Sequence, residues 1–168
     1  MFGKFLKENF ACAVCVVYAP NSQRDRLELW NTLRDFRQQL NSPLLLMGDF
    51  NEVVLIEERR SASQSTKGMA EFRDLIQDMQ LFDMPINQRF TWMRDNAASR
   101  IDRMMVTREF LEKFQNMSVK CKERVLSDHF PLVFSTAEVS WGPSPFRTLD
   151  VWLEEPKFLQ IFQEEWIQ

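Results

Sequence analysis

The sequence predicts a mixed α/β (α+β) fold in which strands and helices alternate along one domain. Three observations support this prediction. Residues 11–18 and 43–47 are apolar segments of strand length, and a segment with the apolar periodicity of an amphipathic helix follows each of them. The segment 43–47 is so uniformly apolar that neither of its faces can be solvated. We therefore expect a sheet covered on both sides, and 168 residues suffice for one such core.

The first elements are a strand, a helix and a second strand. Residues 11–18 end at Pro20, as a strand entering a loop does. The early lysines and the apolar run also resemble a secretory signal, but Glu8 just ahead of the run favours a strand. Ser22 can cap the next helix, which should end near Asn41. The apolar face of this helix consists of Leu27, Trp30, Leu33, Phe36 and Leu40.

The rest of the domain is predicted as shorter elements. A polar loop follows the second strand and leads into a helix with one apolar face. That face consists of Met69, Phe72, Leu75, Ile76 and Met79. The remaining predicted elements are strands at 89–93 and 99–107 joined by a polar turn, a helix at 108–114, a strand near 117–125 and a strand at 131–135.

The end of the chain differs in character. The stretch "WGPSPFR" has two prolines close together and is typical of a linker. Pro156 suits the first turn of a last amphipathic helix. The sequence therefore predicts a domain at 1–140 and, at 141–168, a linker and helix that lead toward a further region. No segment is long and apolar enough to span a membrane.

Charge and cysteine content limit the classes of function. The net charge of −3 argues against a protein that holds polyanions by bulk charge, so a nucleic-acid ligand requires a local basic patch. Candidates for such a patch are Arg59, Arg60, Arg89, Arg94, Arg100 and Arg103, although exposed arginines can equally well only solvate a surface. Cys12 and Cys15 lack a second pair that would complete a zinc site. Buried thiols of a reducing, intracellular compartment are the expected alternative.

Polar residues follow or interrupt several of the apolar strands. Alone, Asp and Asn in such places are ordinary turn residues. Asp102 is less ordinary, because strand alternation puts its carboxylate on the same face as Met104 and Val106, where it needs a partner. Together, carboxylates that bind Mg²⁺ or orient water, amides that donate to phosphate, and a histidine held by an aspartate suit phosphodiester cleavage. The candidate residues are Tyr18, Asn21, Asp49, Asn51, Asp102, Asp128 and His129.

Four motifs in order carry a family resemblance: "YAPN" (18–21), "GDFN" (48–51), "SRIDRMMV" (99–106) and "SDHFPL" (127–132). They resemble the second half of the endonuclease/exonuclease/phosphatase superfamily, which includes deoxyribonuclease I. With "FTW" and the trailing "GPSPFR", they are most similar to the endonuclease domain of plant LINE-type retrotransposons. The resemblance covers roughly residues 11 to 166. It implies a partial DNase I-like two-sheet α/β sandwich with outer helices.

The resemblance also implies roles for the polar residues. Asp49 would position the attacking water or act as its base, and Asn51 would bind the phosphate. Tyr18 and Asn21 would contact or polarise the same phosphate. Gly48 would let the strand turn so that Asp49 and Asn51 face one pocket.

For the remaining residues, Asp102 would orient His129, and His129 would stabilise the pentacovalent transition state. Asp128 would lie at the metal site, directly or through water. The implied cofactor is Mg²⁺, with Mn²⁺ as a substitute. The implied partner is DNA, and nuclear placement follows from the resemblance alone.

One departure from the family pattern bears on activity. The Asn and the metal-binding Glu that open the family's site have no counterpart here, so the N-terminal strands of the fold are expected to be missing. Apolar surface would then be exposed and could mediate self-association. The alternatives are an impaired endonuclease, an inactive remnant that binds nucleic acid or a partner, and a hydrolase of another phosphoester such as an inositol phosphate or sphingomyelin.

Overall fold

A five-stranded mixed sheet forms the centre of the protein, described here by a computed structural model for residues 1–136 and Lys157. The strand order is β1-β2-β3-β7-β4. β2 and β3 are parallel, whereas β1 and β7 run antiparallel to their neighbours. These strands are β1 (Phe2–Phe5), β2 (Phe10–Tyr18), β3 (Leu44–Asp49), β4 (Phe82–Asp83) and β7 (Asp102–Val106).

Two small antiparallel pairs and four helical segments complete the described fold. The pairs are the hairpin of β5 (Trp92–Arg94) with β6 (Ala97–Ser99), and β8 (Ser118–Cys121) with β9 (Leu132–Ser135). The helical segments are α1 (Gln23–Gln39), a 3₁₀ helix (Ile56–Glu58), α2 (Lys67–Asp78) and α3 (Arg108–Lys113). The mixed α/β fold expected from the sequence is thus confirmed.

The caps of the two long helices are side-chain hydroxyls. Ser22 Oγ accepts a hydrogen bond from the backbone N–H of Asp25 at 3.5 Å, as its position in the sequence predicted. Thr66 Oγ1 accepts from the N–H of Met69 at 3.2 Å and starts α2. Both helices therefore begin where the chain leaves the loops that surround the strand ends.

Apolar side chains cover both faces of the sheet, as the uniformly apolar β3 indicated. On one face α1 and α2 pack their aromatic residues over the strands, and Trp30 stacks on Phe72 at 5.2 Å between ring centroids. On the other face α3 and the β8–β9 pair enclose a second cluster. That cluster includes Phe5, Phe10, Phe110 and Phe114.

The second face is only partly covered. Val16 lies on β2, an inner strand of the sheet, yet its side chain is 71% exposed. It lines an apolar cleft of about 350 Å³ between the sheet and the chain that enters β9. The apolar side chains of this cleft are Val16, Met47, Met104, Phe130, Pro131 and Leu132. Among the described residues, β9 pairs with β8 alone.

The structure differs from the expected strands at 89–93 and 99–107. The hairpin is confined to β5 and β6, and the chain leaves it at Arg100 and Ile101 before β7 begins. The backbone groups of these two residues bond elsewhere: Arg100 N–H donates to Glu58 O and Ile101 O accepts from Phe50 N–H. β1, which pairs with β2 at the edge of the sheet, was not predicted.

The predicted linker and last helix at 141–168 lie, apart from Lys157, outside the described residues. Within the described part, no helix combines the length and apolar character that crossing a membrane requires.

Candidate active site

Three of the candidate side chains lie in one row across neighbouring strands. Tyr18 ends β2 and is in register with Asp49, the last residue of β3. Asp49 is in turn opposite Asp102, the first residue of β7. The parallel β2–β3 pair and the antiparallel β3–β7 pair therefore bring a phenol and two carboxylates to the same edge of the sheet.

The turn after β3 brings an amide to the same edge. Asn51 has a positive φ of 49°, a conformation that asparagine tolerates well. Its backbone N–H donates to Asp49 Oδ1 at 2.8 Å, and its side-chain Nδ2 donates to Ala19 O at 2.6 Å. Gly48 lies within β3, so it does not form the turn itself, as was expected of it. The φ of Gly48 is +136°, and its lack of a side chain lets β2 approach closely. A Cβ at this position would lie only 1.9 Å from Val17 O.

Asp102 has the partner that its position on an apolar face requires. His129 Nδ1 lies 3.0 Å from Asp102 Oδ2 and 3.1 Å from Oδ1, so the imidazole N–H donates to the carboxylate. This contact leaves Nε2 as the other ring nitrogen for a ligand. His129 lies 27 residues after Asp102, in the segment that precedes β9.

Thr91 holds the two halves of this pair together, although sequence reasoning did not single it out. Its side chain is fully buried, and its Oγ1 accepts from the N–H groups of Ile101 at 3.0 Å and Asp102 at 2.9 Å. Its carbonyl accepts from the N–H of Phe130 at 2.7 Å, next to His129. The motif "FTW" was the signal that could have indicated this residue.

Asp128 is held by the neighbouring Trp92. The indole Nε1–H donates to Asp128 Oδ2 at 2.9 Å, and the N–H of Met93 donates to the carbonyl of Asp128. The indole hydrogen bond holds the pKa of the Asp128 carboxyl below its ordinary value. Asp128 is therefore a carboxylate at neutral pH, oriented by a neutral donor.

These residues surround one open cleft, which we call the polar pocket. Its volume is about 670 Å³. Of the candidate residues, the structure places Tyr18, Asn21, Asp49, Asn51, Asp128 and His129 in its lining. Asp102 lies behind His129 and lines the adjoining apolar cleft.

The pKa of Asp49 is shifted upward overall. Burial raises it most, the hydrogen bond from the Asn51 N–H lowers it, the charge of Asp102 raises it and His129 lowers it.

Five of the six candidate arginines divide into two groups, and the sixth, Arg89, donates from Nε to the carbonyl of Glu57 at 2.8 Å outside the lining of the polar pocket. Arg59, Arg60 and Arg94 line the polar pocket. Arg100 and Arg103 do not, because both are paired with the carboxylates of Glu58 and Asp83 beneath α2. The side chain of Arg103 has no exposed surface and that of Arg100 is 17% exposed, so neither contributes to the basic lining of the polar pocket.

The donor set bears on whether a metal ion fits. Among the described residues there is no group of three or more His, Cys, Asp or Glu side chains arranged to hold an ion. Mg²⁺, however, is commonly held by one or two carboxylates together with water and substrate phosphate oxygens. Asp128 and Asp49 in the lining of the polar pocket fit that mode of binding.

Comparison with known proteins agrees with this geometry. The family model described as "Endonuclease-reverse transcriptase" matches residues 12–133, most of the chain. The chain therefore belongs to the endonuclease/exonuclease/phosphatase superfamily and, within it, to this endonuclease–reverse transcriptase family.

Three solved structures share the fold at low identity. A 3′-5′ exonuclease (NExo) from Neisseria meningitidis matches with a TM-score of 0.59 and 19% identity over 75% of this chain and 63% of its own. An AP endonuclease from Archaeoglobus fulgidus matches with a TM-score of 0.58 and 17% identity over 73% and 60%. The endonuclease domain of TRAS1, a telomere-specific non-LTR retrotransposon, matches with a TM-score of 0.55 and 17% identity over 75% and 57%. The chain thus spans less than two thirds of the length of each.

Proposed function

We propose that this protein hydrolyses phosphodiester bonds of DNA as a Mg²⁺-dependent endonuclease, with Mn²⁺ as a substitute ion. The observation that carries the proposal is the Asp102–His129 pair at 3.0 Å beside a pocket lined by Asp49 and Asn51. An aspartate-held histidine, a partly buried carboxylate and an amide together suit the transfer of a phosphoryl group to water.

The side chains of the polar pocket divide the chemistry among them. Asp49 has a raised pKa and is placed to orient a water molecule and accept its proton. Asn51 uses one of its two amide N–H groups on Ala19 O, and the second donates to a phosphate oxygen. Asn21 and the Tyr18 hydroxyl supply further donors to that phosphate. His129, held by Asp102, donates to the oxygen on which charge develops.

Asp128 is the residue that would hold the metal ion, together with water and a phosphate oxygen of the substrate. When bound, Mg²⁺ neutralises phosphate charge and favours ionisation of water. The protein's contribution is orientation, because the indole of Trp92 fixes Asp128 Oδ2 and the backbone of Met93 fixes its carbonyl.

The basic lining supports a polynucleotide over a small phosphoester. Arg59, Arg60 and Arg94 contribute three guanidinium groups to a pocket that opens to solvent. Such an arrangement suits several phosphates of one strand, and phosphate contacts position a duplex without reading its sequence. Two of the matched structures are named as endonucleases, of abasic sites and of a retrotransposon. A chromosomal DNA substrate would place the protein in the nucleus.

A second candidate function is nucleic-acid binding without catalysis. It is favoured by one observation, that no group of three metal-ligating side chains occurs among residues 1–136 and Lys157. Loss of metal-binding carboxylates weakens metal affinity and transition-state stabilisation together. On this alternative the polar pocket binds a phosphate backbone and leaves it intact.

Nicking of supercoiled plasmid tests the proposal. The purified 168-residue chain is incubated with plasmid and Mg²⁺, beside EDTA and the Asp49→Ala and His129→Ala variants. Mg²⁺-dependent nicking that both variants lose supports the endonuclease. Binding of a labelled duplex without nicking favours the second candidate. Phosphate release from a phosphoinositide without nicking would assign the site to another phosphoester.

We further propose that the apolar cleft associates with a second copy of this chain. Val16 is largely exposed on an inner strand and lines this cleft together with other apolar side chains. Exposed apolar surface favours association. A net charge of −3 provides little repulsion between copies.

A further inference from the structure

A buried ion pair lies beneath the polar pocket and bonds to two segments of its lining, one at Asn21 and one at Arg59. Arg26 of α1 is 8% exposed and Glu52, just after the β3 turn, is 2% exposed. Their side chains meet at 2.8 Å between Nη2 and Oε2. We propose that this pair is a positioning device for the phosphate-binding wall formed by Asn21, Asn51 and Arg59. The inference rests on the proposed function, and it extends that function to residues outside the pocket.

The guanidinium of Arg26 fixes the loop that carries Asn21. Its Nη1 donates to the carbonyl of Asn21 at 2.6 Å and to the carbonyl of Pro20 at 3.2 Å. The same loop is also tied to the β3 turn, because Asn51 Nδ2 donates to Ala19 O. The planar fork of arginine presents separate nitrogen atoms in a fixed geometry to these carbonyls and to the carboxylate, whereas lysine has a single nitrogen atom at the end of a flexible stem.

The carboxylate of Glu52 fixes the second side of the wall. Its Oε1 accepts from Arg59 Nη2 at 3.4 Å and from the N–H of Val53 at 3.1 Å. Arg59 is one third exposed, so one part of its guanidinium faces the polar pocket while another is anchored. Glu52 thereby determines where the positive charge of Arg59 lies relative to Asn51.

The amino end of α2 packs against the same carboxylate. A Cβ on Gly68 would lie 2.2 Å from Glu52 Oε2, so only glycine lets the helix approach this closely. Negative charge near a helix N-terminus is also favourable. α2 therefore limits the positions open to the Glu52 side chain.

Stability alone explains this pair poorly. Burying two charges costs desolvation that their attraction often fails to recover, and apolar replacements of such pairs are frequently neutral. Here each partner also bonds to a segment that lines the polar pocket. The consequence of the pair is thus the relative placement of three phosphate-binding groups.

The first test is Arg26→Lys, which keeps the charge but loses the fork. We expect kcat/KM for plasmid nicking to fall roughly tenfold to 10²-fold, as small misplacements of binding groups do. In an Asn21→Ala background the same substitution should have a smaller effect, because one of the groups that the pair positions is gone. The matched control is Arg34→Lys, which lies on α1 like Arg26 and alters an ion pair with Asp78 of α2. Equal losses in both backgrounds would overturn the proposal.

A second variant covers the case in which Arg26→Lys does not fold. Gly68→Ala adds helix propensity, so α2 itself is not weakened, but the added Cβ displaces the Glu52 carboxylate. We expect lower kcat/KM with a melting temperature near that of the wild type. Unchanged kinetics would contradict the positioning role of Glu52.

An NMR readout separates this inference from the proposed function. In ¹⁵N-labelled protein, both variants should shift the side-chain amide resonance of Asn51 and the backbone amide of Asn21, and Arg34→Lys should not. If the wild type fails to nick plasmid, the endonuclease proposal fails while this comparison still decides the role of the pair. Resonances that stay unchanged in both variants would overturn the inference.

Discussion

At the scale of single residues, the contact between Asp102 and His129 is the one on which the proposed chemistry depends most. We expect Asp102→Asn to lower kcat for plasmid nicking by about 10²-fold or more, because an amide no longer stabilises the charged imidazole or fixes its tautomer. KM should change little, since neither atom of the pair binds the distal phosphates. Steady-state nicking with Mg²⁺ measures both constants.

The matched control for this variant is Asp74→Asn, which makes the same chemical change at an exposed position of α2. It should leave kcat unchanged. If Asp102→Asn retained full activity while His129→Ala abolished it, the proposed role of Asp102 would be wrong.

A second residue-scale prediction concerns Asp49 and pH. Burial raises the pKa of Asp49 above its ordinary value, so the folded protein binds this proton more tightly than the unfolded chain. The associated stability is present below the unfolded pKa of about 3.9 and is lost as the pH rises through the folded pKa. The amide of Asp49→Asn does not ionise, so this variant does not lose that stability as the pH rises. The variant should therefore gain in melting temperature relative to the wild type as the pH rises to neutrality.

Thermal unfolding in EDTA from acidic to neutral pH measures this difference. Asp74→Asn again serves as the control and should give a difference that does not vary with pH. A constant difference for Asp49→Asn as well would show that the Asp49 carboxyl is not perturbed in the folded protein.

At the scale of elements, Gly48 allows β2 and β3 to approach at the edge that carries the site. A Cβ at Gly48 would lie 1.9 Å from Val17 O, and the φ of +136° is strained for any L side chain. Gly48→Ala should lower the free energy of unfolding by at least about 2 kcal/mol, the order of such backbone strain. Urea denaturation measures it. Gly3→Ala is the control, because nothing lies within 4 Å of its Cβ, and an equal effect there would contradict this account.

The elements that the sequence predicted are those whose pattern is local. β2, β3, α1 and α2 follow from apolar periodicity and a capping serine, each within a single window of the chain. The break between β6 and β7 was missed because its cause is distant: Arg100 bonds to Glu58, and Ile101 bonds to Phe50 and Thr91. The pattern of apolar residues within one segment carries no information about partners that lie elsewhere in the chain.

The candidate site shows the same division. The motifs indicated the polar residues at the strand ends, since each lies next to an apolar run. The buried state of Arg103 was not predictable, because its partners Asp83 and Glu58 lie 20 and 45 residues away. Arg26 and Glu52 escaped notice for the same reason, as charged residues on a helix and in a turn normally face water.

At the scale of the whole molecule, the proposed self-association concerns the apolar cleft. We expect sedimentation velocity to show a mass that increases with concentration, because the apolar cleft leaves the Val16 side chain exposed to solvent. Val16→Lys should shift the equilibrium toward monomer, since a charge there opposes burial of the cleft. Folding should survive, because the wild-type side chain is already 71% exposed.

The control for Val16→Lys is the same substitution at Val125, which is 89% exposed and does not line the apolar cleft. Val125→Lys should associate as the wild type does. If both variants reduced association equally, net charge and not the cleft would be responsible. A wild type that stays monomeric at every concentration would refute self-association.

The apolar cleft adjoins Asp102 and His129, so association through it would also place the second copy beside the polar pocket. Nicking per chain should then depend on protein concentration. Concentration-independent nicking by an associating wild type would show that the bound copy leaves the site unaffected.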